Sequence, residues 1–164
     1  MSNPECAREL VQELIRRNLT VATAESLTGG AVAASLVSVA GVSAVFQGGI
    51  VAYQNQVKAD LLGVSTALLE RVGSVDGEVA AQMAQGAAHR LGSRLGLATT
   101  GAAGPESHDG QPVGTVFLAV ALDSQTRVVE RHYSGDRDDI RRQSVTDVLA
   151  LAHEVVAGCK DDSQ

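Results

Sequence analysis

A chain of 164 residues with 45% apolar content and seventeen glycines is long enough to bury a real core within one compact domain. Its net charge of −6 lacks the lysine and arginine excess of a phosphate-neutralising groove, and only four aromatics, Phe46, Tyr53, Phe117 and Tyr133, are present to stack on bases, so no nucleic-acid partner is expected. No apolar run approaches the roughly 20 residues of a membrane helix, and "MSNPECAREL" lacks the basic-then-apolar layout of a secretory signal, which leads to the expectation of a cytoplasmic chain with no membrane partner.

In chain order, "PECARELVQELIRRN" predicts a helix with Leu10, Val11, Leu14 and Ile15 on its apolar face, ended by Asn18. A strand, "LTVATA", follows, and a second helix runs through "GAVAASLVSV" toward Gly41. "FQGGIVAY" reads as a strand closing at Tyr53. "NQVKADLLGV" and "STALLERVG" read as two short helices, the second capped by Ser65, and "VDGEVAAQMAQGAAHRLG" as a longer alanine-rich helix closing on Gly92. Three strand-like runs come next, "RLGLATTG", "GTVFLAVAL" and "RVVERHYS". The short Asp123 to Thr126 connection between the last two makes a hairpin, so the sheet is mixed. A final helix from about Arg137 to Val156 turns Ile140, Val145, Val148, Leu149, Leu151 and Ala152 inward, ahead of a polar tail over 157–164 expected to fray. This order implies a single three-layer α/β/α domain with its core over about residues 10–156.

Ligands of such sheets collect where strands end and helices begin, which directs attention to the loops after Ala24, Tyr53, Thr100 and Ser134. At the first, "ESLTGG", Ser26 or Thr28 can serve as an ordinary helix cap. Gly29 and Gly30 point further: two glycines in a first turn weaken a helix and suggest close approach to its free N–H groups, a seat for a phosphate or a developing oxyanion. Lys58 lies one turn into the helix after Tyr53. It is a solvated residue in the ordinary case, but beside a serine a buried lysine can lose its proton and activate the hydroxyl, with a tyrosine phenol relaying or orienting. The third loop, "TTGAAGPESHDGQPVGTV", is long for a compact domain and exposes backbone at Gly101, Gly104 and Gly110. In "SGDRDDIRR", Arg137 and Arg141 share one helical face, suited to a carboxylate or phosphate if they do not simply face water. Cys6 and Cys159 read as free thiols, and His89, His108, His132 and His153 show no paired ligand spacing, so no metal is expected.

Five of these segments, "TVATAESLTGG", "GGIVAYQNQVKADLLGV", "TTGAAGP", "QPVGTVFLAVA" and "SGDRDDIRRQSV", stand in an order and spacing that resembles the CinA C-terminal domain family, the nicotinamide-nucleotide amidohydrolases, from about Leu10 to Val156. The resemblance implies an anticodon-binding-domain-like α/β/α fold with a mostly parallel mixed sheet. It also implies a homodimer and metal- and cofactor-free hydrolysis of nicotinamide mononucleotide to nicotinic acid mononucleotide and ammonia. Carried onto this chain, it implies Ser26 as nucleophile, Lys58 as general base and Tyr53 as phenolic partner. Thr28, Gly29, Gly30, Asn55, Thr100, Gly101 and Arg141 are then expected to line the mononucleotide site, with Arg137 beside Arg141. The chain departs from the family pattern at Leu27, Asp76, Ala102 and the segment Glu106 to Gln111, differences that bear on substrate affinity more than on chemistry.

Overall fold

The computed structural model describes residues 1–159. Six α-helices and five strands alternate as α1 (Asn3–Arg17), β1 (Val21–Glu25), α2 (Ala31–Val37), β2 (Phe46–Val51), α3 (Asn55–Leu62), α4 (Thr66–Val72), α5 (Gly77–Leu91), β3 (Leu95–Gly101), β4 (Thr115–Leu122), β5 (Gln125–His132) and α6 (Arg137–Gly158), with a short 3-10 turn at Val42–Ala44. The predicted caps carry the boundaries: Asn18 takes a left-handed conformation (φ 53°) after α1, Ser65 accepts from the Leu68 amide, and Gly92 closes α5 at φ 62°. The polar tail beyond Cys159 lies outside the described residues.

The sheet has the order β2-β1-β3-β4-β5. β1 pairs in parallel with β2 and β3, while β3–β4 and β4–β5 are antiparallel, so every strand but β4 points the same way. The sheet is mixed as expected, and mostly parallel in direction although not in pairing. A two-residue link, Asp123-Ser124, closes the β4–β5 hairpin.

Strand alternation sorts side chains by size onto two faces. Val21, Leu95, Leu97, Val116, Leu118 and Val120 meet the buried faces of α1, α2 and α6. Ala22, Ala24, Ala98, Ala119 and Ala121 meet α5 and the short helices. Small residues on that second face let α5 sit close: a Cβ on Gly96 would fall 2.0 Å from the Ala84 carbonyl oxygen, and one on Gly86 would fall 2.0 Å from that of Leu62.

One expected core residue and one expected strand end differ in the structure. Ile15 is 45% exposed, because Cys6, Ala7, Leu10, Val11 and Leu14 occupy the buried face of α1 and residue 15 is rotated past its edge. β2 ends at Val51, and Ala52 and Tyr53 instead turn their carbonyls inward to a side chain of α3.

Candidate active site

The connections leaving β1 and β3 run in opposite directions across the sheet, to β2 on one side and β4 on the other, which opens a crevice at their carboxyl ends. Ser26 stands at this point, its amide donating to the Thr99 carbonyl at 3.0 Å and so extending the β1–β3 ladder by one residue. The following turn needs left-handed backbone at Gly29 (φ 59°) and Gly30 (φ 103°), which glycine adopts without strain. Glu25, 1% exposed, sends its carboxylate onto the α2 amides of Val32 (2.8 Å) and Ala33 (3.0 Å). The chain thus fills the start of α2 with its own anion, so these two N–H groups are not the open phosphate seat the glycines suggested. From the other side, Arg141 donates through Nε to the Leu27 carbonyl (2.9 Å) and through Nη2 to that of Thr28 (3.2 Å). The Thr28 hydroxyl pairs with that of Thr99 at 2.7 Å in the buried interior.

Lys58 reaches the same point from α3 and is fully buried. Its Nζ lies 3.1 Å from Ser26 Oγ, 2.8 Å from the Ala52 carbonyl and 3.1 Å from the Tyr53 carbonyl. Burial disfavours the ammonium and lowers the pKa from 10.5 to about 8, against an opposing pull from the Asp109 carboxylate. A neutral amine has two N–H donors and one lone pair. The two carbonyls take the donors, leaving the lone pair for the Ser26 hydroxyl. In the protonated state all three neighbours become acceptors, so one proton can pass between Oγ and Nζ without rearrangement.

The pair opens onto a cavity of about 290 Å³. Ser26, Leu27, Tyr53 and Asn55 form one wall, the segment Gly101 to Gly104 a second, and Glu106, His108, Asp109 and Arg137 complete the rim. Of the residues expected at the site, Ser26, Tyr53, Asn55, Gly101 and Arg137 therefore line the cavity, with Lys58 bonded directly to Ser26. Thr28, Gly29, Gly30, Thr100 and Arg141 do not line it: Thr100 donates to the Ser74 carbonyl at 2.6 Å, and the others shape the turn behind Ser26. The Tyr53 phenol also differs from expectation. It meets Arg137 Nη2 at 3.1 Å rather than Lys58, because only the Tyr53 carbonyl faces the amine.

Ser74 carries no signal in the sequence, and Asp109 stands out only as part of the departing segment Glu106 to Gln111. Asp109 Oδ2 accepts from the Ser74 amide (2.6 Å) and hydroxyl (2.7 Å), a pairing across 35 residues that no local pattern announces. The length of the 102–114 loop and its departure from the family pattern are the signals that point to this segment. Asp76, flagged as a departure, is the cap of α5, accepting from the Glu78 and Val79 amides. Among the described residues no group of three or more His, Cys, Asp and Glu side chains is placed to hold a metal ion, and no helix is long and apolar enough to cross a membrane.

A mixed five-stranded sheet between helical layers, with a serine and a buried lysine at the carboxyl ends of its parallel strands, defines an α/β/α domain built around a strand-end cavity. The chain belongs to the CinA C-terminal domain family, whose sequence model matches residues 3–156. It is 45% identical over 145 residues to a CinA-like protein of Frankia casuarinae, covering 88% of this chain and 34% of that protein. With a CinA-like protein of Geobacter sulfurreducens the identity is 50% over 136 residues, covering 82% and 32%. The chain thus spans about a third of the length of these curated relatives. Among solved structures, the competence/damage inducible protein CihA from Agrobacterium tumefaciens superposes with a TM-score of 0.90 at 37% identity, covering 94% of this chain and 95% of that one. A competence-damaged protein (CinA) superfamily protein from Klebsiella pneumoniae gives 0.94 at 29% identity, covering 97% and 100%.

Proposed function

We propose that this chain is an amidohydrolase that converts nicotinamide mononucleotide to nicotinic acid mononucleotide and ammonia through Ser26 and Lys58. The observation that carries the reading is the fully buried Lys58 amine 3.1 Å from Ser26 Oγ, with its pKa lowered to about 8. Neutral Lys58 takes the hydroxyl proton as Oγ bonds to the carboxamide carbon and the carbonyl electron pair moves onto oxygen. The Leu27 amide, which follows the nucleophile and donates to no acceptor among the described residues, is suited to stabilise that oxygen. Collapse of the intermediate breaks the C–N bond. The proton on Lys58 passes to the leaving nitrogen, which departs as ammonia, and water activated by the same amine hydrolyses the serine ester to the acid. Arg137 at the rim is the candidate partner for the phosphate, whose binding energy orients the amide.

Family membership supports the reading, because the family resemblance implies this substrate. The test is ammonia release from nicotinamide, its riboside and its mononucleotide. A phosphate-anchored site strongly prefers the last; equal rates on all three contradict the mononucleotide assignment, and release from none contradicts the enzyme. Exhaustive dialysis against a chelator leaves the activity of a serine mechanism intact, whereas loss restored by zinc points to metal-activated water.

A further inference from the structure

Asp109 has no part in the proton transfers above, yet its carboxylate is held at the cavity rim by Ser74. Both Ser74 donors fall on Oδ2, and no donor among the described residues is bonded to Oδ1. The seat exists only because residue 73 is glycine: a Cβ there would lie 2.6 Å from the Asp109 Cβ and Cγ. The loop holds Asp109 itself in left-handed backbone, φ 50°. Of the other charged groups around the cavity, Glu106 is exposed at the rim and Arg137 is engaged with the Gly104 carbonyl and the Tyr53 phenol. His108 Nε2 lies 3.4 Å from Asp109 Oδ2 and is 62% exposed. Asp109, with a side chain 30% exposed, is thus a negative charge that Ser74 holds at the cavity rim, and its field reaches Lys58, the residue bonded to Ser26.

We infer that Asp109 is a specificity residue that selects a carboxamide carried on a positively charged ring, an inference that rests on the amidohydrolase reading. An amide carbon placed on Ser26 Oγ keeps its ring within the cavity that Asp109 lines. A quaternary pyridinium is attracted there, while a phosphate is disfavoured beside the carboxylate and turns toward Arg137.

Asp109→Asn removes the charge while its side-chain carbonyl can still accept from Ser74. In a Ser26→Ala background that blocks turnover, calorimetry compares nicotinamide mononucleotide with its 1,4-dihydro form, which has the same amide and phosphate but a neutral ring. The substitution is expected to weaken the cationic ligand about three- to fivefold, a size set by one partly exposed charge, and to leave the neutral one within about twofold. Asp109→Ser, a second uncharged variant, gives the same selective loss. A second readout uses the proteins that retain Ser26: removing the charge that supports the Lys58 ammonium moves the acid limb of the pH–rate profile to lower pH. Equal weakening of both ligands, or no change in either, overturns the inference while leaving the amidohydrolase reading in place. Failure of the Ser26→Ala protein carrying Asp109 to bind either mononucleotide removes the substrate assignment, and the inference with it.

Discussion

Lys58 is the one fully buried cation among the described residues, and it has no carboxylate within ion-pair distance. Its unfolded pKa is near 10.5 and its folded pKa about 8, so the native state disfavours the ammonium at every pH below 8, and this penalty disappears as pH rises toward 10.5. Between those values the unfolded chain binds more protons at this site than the native chain, and stability rises with pH. The difference in unfolding free energy between the parent and Lys58→Met, followed by urea titration, is expected to change by about 3 kcal/mol in the parent's favour from pH 7.5 to 10.5. A flat difference would mean an ordinary lysine. Under the proposed mechanism the same titration governs catalysis: kcat/KM is expected to rise with pH and level off above about 8, since only the neutral amine could accept the Ser26 proton. At this scale local elements made the placement of Ser26 after a strand and of Lys58 one turn into the next helix legible, while their pairing was implied only by the family resemblance and is seen in the 3.1 Å contact. The direction of the Tyr53 phenol and the Ser74–Asp109 latch were not legible, since each depends on contacts made across loops far apart in the chain.

The turn between β1 and α2 is pinned from both sides, by Glu25 on its amides and Arg141 on its carbonyls. Arg141→Ala is therefore expected to lower kcat more than it raises KM, because it loosens the backbone that aims Ser26 rather than removing a wall of the cavity. A large KM rise at constant kcat would return Arg141 to the substrate. Glu25→Gln turns an N–H donor toward one of the two helix amides, and about 1–3 kcal/mol of stability is expected to be lost in urea titration. On the opposite face of the sheet, Gly96→Ala drives a methyl into the Ala84 carbonyl, and a loss of about 3 kcal/mol is expected for such overpacking. The elements themselves were legible because their caps and periodicities are local, down to Asn18, Ser65 and Gly92. What the pattern concealed at the glycine pair was the occupant: Glu25 lies one residue before Ser26 in the strand, and only the returning helix shows that its carboxylate fills the first turn.

Across the whole molecule, the alternation of helices and strands was enough to give a three-layer domain with a mixed sheet, and the polar loops at strand ends marked the side on which the cavity lies. The strand order, with β1 between β2 and β3, was not readable from alternation alone, and it is this order that sets Ser26 at the opening between β1 and β3. Ser26, Lys58 and the cavity lining all come from this one chain, although it spans only about a third of its curated relatives, so the proposed reaction predicts ammonia release by this chain alone. The decisive measurement is steady-state ammonia release from nicotinamide mononucleotide by the parent and by Lys58→Arg, each with its folded state checked by circular dichroism. Arginine preserves the positive charge but stays protonated, so a serine–lysine mechanism predicts at least a roughly hundredfold fall in kcat. Near-parental turnover by a folded Lys58→Arg protein would contradict it.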